Sequence, residues 1–77
     1  MEEVTLIELK NRLRTLRFMN GEITQQELAD KVGVTRQTIY AIETGKFNPS
    51  VKLALLIAKS FHVNLEEIFY LEGVEND

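Results

Sequence analysis

The chain predicts an all-α fold, a compact five-helix bundle, on three observations. Two short capped segments meet at Gly33, between Thr24 and Thr44. Leu6, Leu9, Leu13 and Leu16 recur at three- and four-residue intervals, the spacing of one helix face. The run Val51–Phe61 is apolar on more than one side, as expected of a helix at the centre of a small bundle. At 77 residues there is room for one domain, 1–77, with a core of about residues 6–70 and an acidic tail at 71–77. Such a core barely offsets chain entropy. There is no cysteine for a disulfide or thiolate site, and the lone His62 cannot build a zinc site, so packing must hold the fold.

The first helix is expected over about residues 5–19, with Lys10, Arg12, Arg14 and Arg17 mostly off the leucine stripe, and Asn20-Gly21-Glu22 ending it. Thr24 followed by Gln25-Gln26-Glu27 is a T-x-x-E capping box. It starts helix two. Gly33, able to take the left-handed conformation without a Cβ clash, stops that helix. Thr35 caps a third helix from Arg36 to about Thr44, with Ile39 and Ile42 inward and Gly45 as its stop. Pro49 pushes Asn48 toward an extended backbone, and Ser50 caps helix four. Asn64 with Glu67 forms another capping pattern, opening a short fifth helix through Ile68 and Phe69. Glu27, Asp30 and Lys31 read as solvated helix charges, His62 as a surface or capping residue, and Phe18, Phe61 and Phe69 as core or dimer contacts.

Two capped helices around a tight turn, with hydrogen-bonding side chains on the outer face of the second, form a helix-turn-helix. The words T-Q-x-E-L-A-x-x-V-G-V-T-R-Q-T-I and I-E-x-G-K-x-N-P-S resemble the lambda-repressor/Cro-like (XRE) family of DNA-binding regulators, over roughly Leu9 to Phe69. The resemblance implies a lambda-repressor-like fold and a sequence-specific transcriptional regulator, a repressor, that binds double-stranded operator DNA as a homodimer. It places the base-reading positions on Arg36, Gln37 and, one turn later, Ala41. Arg36 can offer a guanidinium fork to guanine, Gln37 can pair with adenine, and Ala41 can press on a thymine methyl. Backbone phosphates fall to Gln25 at the start of helix two and to Lys46 and Asn48 after helix three, with hydroxyl contacts open to Thr35, Thr38 and Tyr40. Tyr40 is as well suited to packing over the loop of Phe47. Arg17 and Glu43 match a family arginine–glutamate pair that ties helix one to helix three and orients the arginine toward a phosphate. The helix-one exit, Gly21-Glu22-Ile23-Thr24, departs from that pattern by being about one residue longer than the usual Gly-Leu-Thr.

The net charge of −3 divides sharply along the chain. Residues 10–59 hold all nine basic side chains against four acidic ones, a net +5, and the ends carry −8. Association with phosphates depends on the local field, so the acidic ends are expected to face away from a duplex. The acidic start lacks a signal-peptide pattern and the longest apolar run, residues 53–58, is too short to span a bilayer, which predicts a cytoplasmic protein without membrane contact. No cofactor, metal, small-molecule ligand or enzymatic activity is expected, because no glycine-rich phosphate loop or paired carboxylate is present. The competing reading is a protein-interaction module, an adaptor or antitoxin-like partner on the same fold. Its mark would be an acidic or apolar recognition tip, where this chain has Arg36 and Gln37.

Overall fold

A computed structural model describes residues 4–76; the end residues Glu2, Glu3 and Asp77, counted among the acidic ends, lie outside the described residues. Four helices and a two-stranded antiparallel sheet follow in the order β1 (Val4–Asn11), α1 (Leu13–Met19), α2 (Gln25–Val32), α3 (Arg36–Glu43), α4 (Val51–Phe61) and β2 (Phe69–Asn76). A 3-10 turn at Leu65–Glu67 precedes β2. The all-α, five-helix expectation is therefore corrected at both ends of the chain.

The expected first helix begins only at Leu13. Ile7 brings a β-branched side chain that suits a pleated strand, and the aromatic Phe69 and Tyr70 suit its partner. The register pairs Ile7 with Gly73, Leu9 with Leu71 and Asn11 with Phe69, which share one face, and Glu8 with Glu72 and Lys10 with Tyr70 on the other. The first face is mainly apolar, through Ile7, Leu9, Leu71 and Phe69, while the second mixes the charges of Glu8, Glu72 and Lys10 with Leu6 and Tyr70. The like charges Glu8 and Glu72 oppose each other, and Lys10 lies 3.1 Å from the Glu8 carboxylate. That hydrogen bond, with the charge of Glu8, holds the Lys10 ammonium above its usual pKa. The expected fifth helix is a single 3-10 turn: the Asn64–Glu67 capping box forms, but the strand-forming residues that follow turn the backbone into β2.

The inner helices begin and end as their local signals predict. Thr24 Oγ1 accepts from the Glu27 N–H at 3.0 Å while the Glu27 carboxylate accepts from the Thr24 N–H at 2.9 Å. Gly33 takes φ +79° and closes α2 through its N–H to the Ala29 carbonyl. Thr35 and Ser50 cap α3 and α4. The lengthened exit of α1 is absorbed by two successive left-handed residues, Gly21 at φ +88° and Glu22 at φ +56°. Leu13, Leu28, Ile39, Ile42, Ile57 and Ile68 are fully buried, so every helix and the 3-10 turn region contribute to one core. Leu9 and Phe69 pack against it from the ribbon, whereas Ile7 and Leu71, further out on the same face, stay exposed. Among the described residues no helix is long and apolar enough to cross a membrane.

Candidate nucleic-acid interface

The interface is built on α3, whose two core residues fix its rotation. At 100° per residue, burial of Ile39 and Ile42 turns Gln37, Ala41 and Thr44 outward, with Arg36 and Tyr40 on the flank facing α1 and α2 and Thr38 on the other. Arg36, Gln37, Tyr40 and Thr44 are exposed and Ala41 is half-buried. The sequence-predicted base-reading residues therefore share the tip and outward ridge of one short helix. A ridge with a fork-shaped cation, an amide and a methyl matches the donors, acceptors and methyl groups displayed in a major groove.

A chain of hydrogen bonds runs from that tip into the protein. Arg36 Nη1 donates to Gln25 Oε1 at 3.4 Å, and Gln25 Nε2 donates to Glu43 Oε1 at 3.1 Å. Glu43 in turn accepts from Arg17 Nε at 2.6 Å and Nη2 at 3.0 Å. Arg17 Nη1 donates to the Ile23 carbonyl at 2.9 Å. The pair expected between Arg17 and Glu43 is present. Arg17 is 8% exposed, each of its three guanidinium nitrogens makes one hydrogen bond within the protein, tying α1 to α3, and it lines one groove with Arg14, Gln25 and Tyr40. A bidentate arginine–carboxylate pair suits such burial, and one N–H on each of Nη1 and Nη2 stays available beyond it.

Gln25 sits at the N-terminus of α2, where backbone N–H groups favour an anion. Thr35 Oγ1 and Thr38 Oγ1 lie 3.1 Å apart, so the two hydroxyls hydrogen-bond each other beside the tip. Beyond α3 the loop folds back on the helix: the N–H groups of Lys46 and Phe47 both donate to the Ala41 carbonyl, at 2.9 and 3.2 Å. Lys46 and Asn48, both exposed, thus flank the opposite end of the ridge from Gln25.

Sequence reasoning missed Arg14. Arg14 and Phe18 line one groove with Gln25, Tyr40 and Thr44, which sets a cationic side chain beside the N-terminus of α2. The signal was available, since Arg14 stands three residues before Arg17 and shares its helix face. Tyr40 belongs to this same groove. Two other basic residues of the N-terminal segment are engaged elsewhere, Lys10 with Glu8 and Arg12 over the Tyr70 ring at 4.1 Å.

Comparison with known proteins identifies the family of the chain. The profile of the helix-turn-helix family matches residues 13–68. The chain is 52% identical over 67 residues to an uncharacterized HTH-type transcriptional regulator of Methanocaldococcus jannaschii, covering 87% of this chain and all of that protein. It is 47% identical over 64 residues to the uncharacterized HTH-type transcriptional regulator YgzD of Bacillus subtilis, covering 83% of this chain and 96% of the relative. A crystal structure assigned to a DNA-binding protein from Bacteroides fragilis superposes with a TM-score of 0.71 over 80% of this chain and 98% of the other. At 21% identity that likeness speaks for the fold alone.

Proposed function

Because the chain belongs to the helix-turn-helix (XRE) family of transcriptional regulators, we propose that it binds operator DNA sequence-specifically, with α3 in the major groove. The observation that carries this reading is the outward ridge of exposed Gln37 and half-buried Ala41, with Arg36 held at its tip by Gln25. Arg36, Gln37 and Ala41 read base edges. Gln25, Lys46 and Asn48 hold phosphates at the two ends of the ridge, assisted by Thr35, Thr38 and Tyr40, and Arg14 joins the Gln25 end. Arg17, tied to Glu43, adds to the phosphate contact from the groove it shares with Arg14 and Gln25.

The protein acts as a cytoplasmic homodimer on a palindromic site and represses from it. A single short module makes few phosphate contacts, and two-fold symmetry would set the recognition helices about 34–36 Å apart, one turn of the duplex. Exposed Val51, Leu55 and Leu56 on α4 leave apolar surface for a second copy to cover. Selection of bound duplexes from a random library tests the reading in one step. A symmetric motif supports sequence-specific binding by a dimer, a single half-site supports a monomer, and failure to retain any duplex at low salt transfers the fold to the protein-interaction reading.

A further inference from the structure

We infer that Asn11 is a positioning residue for DNA recognition, a second pin that fixes the tilt of α3. Its one amide spans three elements. Oδ1 accepts from the Leu13 N–H at 3.1 Å, at the start of α1, and Nδ2 donates to the Ile42 carbonyl at 2.9 Å, in the last turn of α3. Asn11 is itself the last residue of β1, paired with Phe69. The Arg12 N–H bonds the Ile68 carbonyl at 2.8 Å, which anchors the junction to the segment entering β2.

The Ile42 carbonyl lies in the last turn of α3 and also accepts from the Gly45 N–H at 3.0 Å, so Asn11 fills its second lone pair and bears on the exit of the helix as well as on its end. Arg17 grips the next residue, Glu43, from α1. Two side chains from the N-terminal segment therefore hold consecutive residues at the base of α3, while the base-reading tip at Arg36 lies six residues away, about 9 Å along the axis at 1.5 Å per residue. At that reach a tilt of about 6° moves the tip by about 1 Å, enough to spoil a bidentate base contact. One pin leaves a pivot; two fix the angle. The loop of Lys46 and Asn48 leaves from the same end, so the pin sets both the recognition ridge and a phosphate clamp.

This inference rests on the DNA-binding reading and is tested with the intact chain and a duplex selected by the wild type. Asn11→Asp keeps an oxygen for the Leu13 N–H but presents an acceptor to the Ile42 carbonyl, whereas Asn11→Ala removes both bonds without adding charge. The expected result is a fall of about tenfold in affinity for the selected duplex in both variants, at a temperature where both are folded. The ratio of selected to random duplex affinity should fall with it, and the amide resonances of Gly45 and Lys46 should shift without DNA. Both variants should melt lower, and only the Ala variant should also lose the acceptor for the Leu13 N–H. A ratio within twofold of wild type in both variants, or unmoved Gly45 and Lys46 resonances, overturns the proposal. A wild type that retains no duplex removes the DNA reading and this role together, while a wild type that binds with variants that discriminate equally well removes this role alone.

Discussion

Arg36 and Lys46 stand at opposite ends of the same ridge, and their chemistry separates what they should do. Arg36→Ala is expected to weaken binding to the selected operator by about 1–3 kcal/mol and to relax preference at one base position. Lys46→Ala should weaken binding to every duplex and flatten the logarithmic salt dependence by about one unit of slope. Anisotropy titrations over a salt series on selected and random duplexes distinguish these outcomes, and a uniform loss from Arg36→Ala would make it a phosphate contact. The internal end of the same hydrogen-bond chain is a stability feature. Arg17→Ala strands the Glu43 carboxylate, whose side chain is 5% exposed, and should cost about 3–5 kcal/mol. Arg17→Met combined with Glu43→Leu should recover most of that in urea denaturation, because neither buried charge remains. A single-variant loss under about 1 kcal/mol would mean that water reaches Glu43.

Element by element, the chain was legible where its signals were local. Thr24, Gly33, Thr35 and Ser50 each act within one turn of themselves, so α2, α3 and α4 begin and end where the sequence predicts. The capping box also has a pH signature. Hydrogen bonds from the Thr24 N–H and then its side chain hold the Glu27 carboxyl below its ordinary value of 4.5. A lowered folded pKa makes the stabilisation present above the unfolded value and lost as pH falls through the folded one. The stability difference between wild type and Glu27→Gln is therefore expected to be largest near neutral pH and to shrink below about pH 4.5, as urea melts at pH 7 and pH 3 would report. The ribbon was illegible for the opposite reason. Its partners are 69–76 for 4–11, and Leu6 and Leu9 fall by chance in phase with Leu13 and Leu16 of α1, so a local window reads helix across a strand–helix junction. Within the site, the tip residues announced themselves as long polar side chains after a turn. The burial of Arg17 could not be read the same way, because it depends on how α1 packs against α3.

Across the whole molecule, the acidic ribbon residue Glu8 lines one groove with Thr44, Gly45 and Asn48 at the C-terminal end of α3, so the negative end of the chain lies beside the loop of Lys46. Joining Asn11 to Phe69 also encloses every helix within one closed loop of chain. Closing so long a loop before the helices condense is entropically unfavourable, so the strands should zip together after the barrier to folding has been crossed. Leu9→Ala, which trims the ribbon where it meets the core, should then accelerate unfolding by roughly tenfold per 1.4 kcal/mol lost while leaving the refolding rate nearly unchanged. Stopped-flow chevrons giving a φ-value near 1 at Leu9 would reverse that order. With late zipping, the ribbon lengthens the lifetime of the native state without hastening its formation.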